Sequence, residues 1–337
     1  MLFGAATPFA SRLVGSASPL VLAGLLYLGS GAALGLSLAI RRSSVHASIS
    51  RGDVPPLVGA TVFGGGLAPV LLLIGLEHTS AASASMLLNL EVVFTALLAW
   101  LVFRDGFSVR VGAGLLLVVV GAVLVSWQPG RVEGIWGAVA IAGACGCWAL
   151  DNNLTHLVSA KDPRQIAAVK GAVAGGANLA IGLLADGSLP SITRSVSAMA
   201  IGIAGYGVSL MLFVAALREL GAARTGGLFA TAPFVGVAIS VLMFGDRFRG
   251  VFVPAGAAMI IGVWLQVTER HVHAHHHERL VHTHLHVHDD GHHDHEHEPG
   301  VDPRGPHSHL HQHQAAVHSH EHRPDIHHRH GHATAGT

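Results

Sequence analysis

Glu91 is the single charge in the apolar run "LNLEVVFTALLAW", about half-way along a stretch from Ser80 to Phe103. A carboxylate inside a membrane-length apolar helix costs about 3 kcal/mol on insertion scales, so it faces a cavity or a partner. Asn89 lies beside it. Two readings follow: a residue that touches a solute or carries a proton, or a buried acid that stays neutral or bonds a neighbouring helix. A second polar group sits in "WALDNNLTH", where Trp148 precedes Asp151, Asn152 and Asn153. Asparagine amides donate and accept, which suits an amino-acid-like or amide-like solute; capping of a helix end is the alternative. Lys170 stands a turn or so inside the next apolar stretch, placed either to snorkel toward headgroups or to pair with an acid or a solute. Asn178 and Tyr206 could line the same cavity or make structural hydrogen bonds. Pro69 and Pro233 each interrupt a span and free a backbone carbonyl, which lines a site in some transporters and only kinks the helix in others.

A second chemistry fills the end of the chain. Of 27 histidines, all but His46, His78 and His156 follow Arg270. In "HVHAHHHERLVHTHLHVHDDGHHDHEHE" they recur at almost every second position: His271, His273, His275, His276, His277, His282, His284, His286, His288, His292, His293, His295 and His297. An extended His-X-His puts both imidazoles on one side, and neutral imidazole suits zinc, nickel, cobalt and copper. Residues 271–337 lack apolar periodicity and cannot bury a core, so they are expected to be disordered. Ordering a floppy chain costs about 1 to 2 kcal/mol per residue, which argues against a single tight metal site. Near the imidazole pKa of about 6.5 the tail would also become cationic.

The elements that position these residues follow from composition. The 337-residue chain is 50% hydrophobic, 12% charged and has a mean hydropathy of +0.51, where a soluble domain carries about a quarter charged residues. Apolar stretches long enough for a hydrocarbon core of about 30 Å run from Val21 to Ile40, Leu57 to Leu76, Ser80 to Phe103, Val111 to Gln128, Gly134 to Leu150, Gln165 to Ala185, Ser195 to Leu217, Thr225 to Gly245 and Gly250 to Thr268. Met1 to Val14 makes a tenth that is short for a crossing. It has neither the basic flank nor the cleavage site of a removable signal peptide, and a true start upstream would complete it. The connecting segments are too brief for a soluble domain. Loops after the even stretches carry nine basic residues (Arg41, Arg42, Arg51, Arg104, Arg110, Lys161, Arg164, Arg218, Arg224) against five after the odd ones (Arg12, Arg131, Arg194, Arg247, Arg249). The positive-inside bias therefore puts the N-terminus and the tail in the cytoplasm. Lysine plus arginine equals aspartate plus glutamate at 20 each, without the clustered basic surface that nucleic acid requires. Cys145 and Cys147 share one apolar run and read as packing residues.

Sliding the chain by 141 residues aligns "LEHTSAASASMLLNLEVVFTALLAWLVFRDGF" from Leu76 with "LRELGAARTGGLFATAPFVGVAISVLMFGDRF" from Leu217. Phe103, Asp105 and Phe107 fall on Phe244, Asp246 and Phe248, and Gly121 on Gly262, while Glu91 falls on the uncharged Ala232. Five helices followed by five related ones enter the membrane in opposite senses, because five is odd. Such an inverted repeat is a signature of secondary transporters. The expected fold class is an all-α membrane protein with ten transmembrane helices in two inverted five-helix repeats, 1–128 and 129–270, followed by the tail 271–337.

"FGAATPFASRLVGSASPLVLAGLLYLGSG", "LNLEVVFTALLAWLVFRD" and "LFATAPFVGVAISVLMFGDRF" resemble EamA-type members of the drug/metabolite transporter superfamily, over residues 1 to about 268. The resemblance implies a ten-helix exporter of small metabolites with a central cavity and alternating access, in the inner (plasma) membrane. The pattern of the fourth and ninth stretches, closing on Phe-X-Asp where the family commonly has glycine-glutamate, is specific for the family but not for a substrate, while the short first stretch and the histidine tail depart from it. Pathway candidates are Glu91, Asn89, Trp148, Asp151, Asn152, Asn153, Lys170, Asn178, Tyr206 and Pro233. Export of a divalent metal is the alternative, and a membrane-anchored metal buffer or sensor a third. No required cofactor is expected; the expected partners are a solute, the bilayer and divalent metal at the tail, and a homodimer is compatible with the sequence. No Walker motif, Gly-rich nucleotide loop or nucleophile elbow is present, so an enzyme is not expected and energy must come from a gradient or from the substrate itself.

Overall fold

A computed structural model describes residues 1–40, 49–103, 109–126, 133–159, 161–186, 188–216, 225, 229–268, 271–277, 280–286, 307–313 and 316–322. Each of the ten apolar stretches contains helix among its described residues. The helices are α1 (Leu2–Ser11), α2 (Pro19–Ile40), α3 (Val54–Ala60), α4 (Ala68–His78), α5 (Ala81–Leu87), α6 (Leu90–Phe103), α7 (Val109–Ser126), α8 (Glu133–Leu157), α9 (Pro163–Asp186), α10 (Ile192–Gly202), α11 (Ala232–Phe244) and α12 (Phe252–Val267). A π-helical turn, Thr61–Leu67, joins α3 to α4 into one rod, and a second, Ile203–Val208, continues α10. Among the described residues, five helices are long and apolar enough to cross a membrane: Pro19–Ile40, Arg51–His78, Ala81–Leu98, Pro163–Ala185 and Ile192–Ala216, with shorter apolar helices at Val109–Val125, Ala232–Phe244 and Phe252–Leu265. With large apolar side chains such as Leu184, Leu242, Val109 and Trp136 exposed, this is the surface of a multi-pass membrane protein.

The elements positioning the polar residues share two kinds of irregularity, and both recur in the two halves. The π turns lie 141 residues apart to within one position. The fourth apolar stretch breaks at Leu88–Asn89 and the ninth at Ala230–Thr231, again at matching places. Pro233 sits in the first turn of α11, where its missing N–H would lack a helical partner anyway, so it begins a helix rather than kinking one.

Two seams hold the helices together. Along α2 and α9, Gly24 meets Leu179 and Gly31 meets Ala172, and a methyl group at either glycine would run into partner backbone. Along α7 and α12, Gly121 abuts the Ala255 carbonyl and Gly262 abuts the Gly114 carbonyl. Contact numbers ascend on one helix as they descend on the other, so both pairs run antiparallel. Small residues at the seam allow this approach where lipid supplies no hydrophobic drive between helices.

At one end of the bundle the Arg12 Nη2 donates to the Phe244 carbonyl at 2.7 Å with its guanidinium 4.5 Å from the Phe244 ring. Asp246 accepts from the Ala82 N–H at 3.1 Å, a carboxylate set against the first turn of α5. This gives a role to one aspartate of the repeated Phe-X-Asp pattern; Asp105 lies outside the described residues. At the opposite end, Leu57, Val158, Ile166 and Val214 form an apolar plug, with the Lys161–Asp53 ion pair at 3.3 Å beside it.

In the tail, β1 (His271–His277) pairs antiparallel with β4 (Ala316–His322), and β2 (Leu280–His286) with β3 (His307–His313). A lone two-stranded ladder is marginal in water. His288, His292, His293, His295 and His297 lie outside the described residues.

Candidate functional site

The site grows out of Pro69. With no N–H, it leaves the Gly65 carbonyl without its α-helical donor and the Gly64 carbonyl without its π-helical one. Three side chains replace those donors. Tyr27 OH donates to Gly64 O at 2.6 Å and Trp148 Nε1 donates to the same oxygen at 3.1 Å. Asn178 Nδ2 donates to Gly65 O at 3.3 Å and to Gly66 O at 3.1 Å. Asn178 is thus a structural hydrogen-bonding residue, one of the two roles open to it in the sequence.

The bare face of this turn admits a charge pair. Asp151 lies against Gly64, where a Cβ would collide with Oδ2. Lys170 Nζ donates to Asp151 Oδ1 at 2.5 Å and to Oδ2 at 2.7 Å, and Thr155 Oγ1 donates to Oδ1 at 2.8 Å. Lys170 is 1% exposed. It does not snorkel, because α8 offers a carboxylate within reach. The helix-capping reading of Asp151, Asn152 and Asn153 is also overturned, since α8 continues to Leu157. Asp151 pairs with Lys170, Asn152 turns toward Glu91, and Asn153 Nδ2 bonds back to Ala149 O at 2.8 Å.

Glu91 lies in the first turn of α6, just past the break at Leu88–Asn89, rather than mid-helix. Its Oε1 accepts from Asn152 Nδ2 at 2.6 Å. The neighbouring Asn89 donates to Met86 O at 3.0 Å and serves the break itself. Cys145 Sγ lies 3.7 Å from Leu87 O and 3.8 Å from Leu88 O, which supports its reading as a packing residue.

Glu91, Asn152, Asp151, Trp148 and Tyr206 line one cavity of about 40 Å³, together with Phe3, Tyr27, Gly205, Ser209, Leu210, Phe213 and Phe229. Five of the sequence candidates therefore meet. Lys170 stands behind Asp151, while Asn89, Asn153, Asn178 and Pro233 do not line the cavity. The sequence reading missed the aromatic wall. Phe3 sits 5.2 Å from Trp148, 5.8 Å from Tyr206 and 5.3 Å from Phe229; Tyr27 lies 5.1 Å from Tyr206, and Phe213 lies 5.0 Å from Phe229. Only 12 phenylalanines and two tyrosines occur in the chain, and that scarcity was the available signal. A larger hollow of about 570 Å³ lies among Met86, Phe234, Val241, Phe252, Gly256 and Ile260. Its walls are carbon, with no group to orient a solute, and in a bilayer such a face meets acyl chains.

Broken helices and buried charge around a cavity form the arrangement in which transporters hold their solutes. The EamA-like transporter family matches residues 1–127 and again 135–268. The chain belongs to the EamA-like transporter family. An uncharacterized transporter of Methanothermobacter thermautotrophicus is 31% identical over 234 residues, covering 67% of this chain and 68% of that protein. The uncharacterized transporter YyaM of Bacillus subtilis is 26% identical over 206 residues, covering 57% and 65%. A crystal structure of a protein aligns with a TM-score of 0.59 at 18% identity, covering 78% of this chain and 94% of that one, and shows a shared fold. This member of the family is accordingly a membrane transporter. Among the described residues, no three His, Cys, Asp or Glu side chains gather as a metal site.

Proposed function

We propose that the chain is a ten-helix secondary transporter of two inverted halves that exports a small metabolite from the cytoplasm by alternating access through the Glu91 cavity. The observation that carries this reading is the cluster itself: Glu91 held by Asn152 at 2.6 Å, beside an Asp151–Lys170 pair, at one cavity beside matched helix breaks. The antiparallel seams α2/α9 and α7/α12 support inversion, since they join corresponding parts of the two family matches. The Arg12–Phe244 contact and the Asp53–Lys161 pair with its apolar plug lie at opposite ends, as two alternating closures require. The basic-residue bias supports a cytoplasmic N-terminus and tail in the plasma membrane.

The histidine tail supports a metal-binding regulatory role, and it is also the one feature favouring export of a divalent metal. The helices favour the metabolite. A metal path needs convergent free acids or imidazoles, whereas Asp151 is taken by Lys170. The test is an unbiased comparison of exported metabolites from cells with and without expression, beside zinc and nickel flux in proteoliposomes. Metabolite export without metal flux is the expected result; metal flux without a metabolite difference reverses the assignment.

A further inference from the structure

The charges in the cavity do not balance, and the imbalance names a solute class. Lys170 is satisfied by both oxygens of Asp151, at 2.5 and 2.7 Å, so this pair presents no net charge. Glu91 is held by a neutral amide. An ionised Glu91 therefore leaves the cavity with one net negative charge. Around it stand Phe3, Tyr27, Trp148, Tyr206, Phe213 and Phe229. Aromatic faces attract cations, most strongly where water is excluded, and they give nothing comparable to an anion. The free space, about 40 Å³, admits an ammonium-sized head group, while anything larger requires the aromatic walls to part.

We infer that the solute is an organic monocation whose protonated amine docks on Glu91 inside the aromatic wall. The inference rests on the transporter reading and narrows it. A zwitterion would bring a carboxylate that needs its own donor, and Lys170, the buried cation here, is committed to Asp151. An anion would face Glu91 directly.

Three probes share a benzyl body and differ in charge: protonated phenethylamine, zwitterionic phenylalanine and phenylacetate. Purified full-length protein is to be assayed at pH 7 for binding, and in proteoliposomes for uptake and counterflow. Phenethylamine is expected to bind and move, with the other two at least tenfold weaker. Glu91→Gln is expected to weaken phenethylamine at least tenfold while retaining the monodisperse folded protein. Phe213→Leu, a second variant on the cavity wall, is expected to lose a few-fold to about thirtyfold for phenethylamine and little for uncharged benzyl alcohol. Preferred binding of phenylalanine or phenylacetate, or no phenethylamine binding at millimolar concentration, overturns the cation assignment. The export comparison above separates the two failures: export of anions or zwitterions leaves the transporter standing and the cation assignment refuted, whereas no solute difference refutes both.

Discussion

The π turn at Thr61–Leu67 gives up three carbonyls to Tyr27, Trp148 and Asn178, whereas its counterpart at Ile203–Val208 carries Tyr206 at its middle and sets that ring against Phe3 and Tyr27. The first turn precedes Pro69, while the position 141 residues on is Leu210, which keeps its N–H. The first must recruit donors from other helices; the second need not. The same division separates Glu91 from Ala232. The bend belongs to both halves, whereas Glu91 has no charged counterpart at Ala232. A duplicated frame can thus keep its bends in both halves while Glu91 stands in one and the Asp151–Lys170 pair in the other.

The largest expected effect comes from breaking the buried ion pair set against the first π turn. Asp151→Asn or Lys170→Met leaves one partner buried and unpaired, a loss of about 3–5 kcal/mol that should appear as a collapsed yield of monodisperse protein in detergent. The double variant should recover much of that yield, because it removes both charges. If each single variant melts like the wild type, the pair does not hold the fold. Gly64→Ala comes next, since its methyl group enters the space of Asp151; Gly66→Ala, two residues along, meets nothing closer than 3.7 Å and should melt within about 1 kcal/mol of the wild type. Equal behaviour of the two glycines would detach the turn from the ion pair.

Glu91→Gln sharpens the comparison in function: transport should be abolished, with expression and melting near the wild type. Parallel loss of folded protein would make Glu91 structural instead. Tyr27→Phe should cost about 0.5–1.5 kcal/mol, because Trp148 still serves the Gly64 carbonyl. Adding Trp148→Phe should cost more than the separate losses, and strict additivity in melting would show that the two donors do not share one acceptor. A chain ending at Arg270 should keep its fold and basal export but lose zinc or nickel binding, measured by calorimetry. Loss of all transport in that chain would move the tail from regulation into the pathway.

The spans were legible because apolar runs mark them and turn residues punctuate them. Glu91 was legible for the same reason, as one charge in such a run. The Asp151–Lys170 pair was not, since the two residues lie 19 positions apart on different helices, and snorkelling satisfied Lys170 equally well on paper. The end of α8 was misjudged because Asp151, Asn152 and Asn153 interrupt an apolar run while their partners lie in other helices and the previous turn. A π turn shifts backbone hydrogen bonds without changing composition, so its sequence trace is slight: Gly64 and Gly66 against Gly205 and Gly207, and one proline. Phe3 was overlooked because the first stretch looked too short to cross a membrane, although Phe3, Gly4, Ala6, Thr7, Pro8 and Ala10 are all buried.

The ion pair also bears on how the chain is made. Asp151 and Lys170 would each be costly for the insertion machinery if their helices entered lipid separately. Only residues 158–162 separate α8 from α9, so the two can enter as one hairpin with the charges already joined. A nascent chain arrested after α8 should therefore integrate poorly, and one arrested after α9 should integrate well, as read by glycosylation of reporter sites at the chain ends. On this view the pair is an assembly checkpoint that is met during synthesis, before any solute reaches the protein.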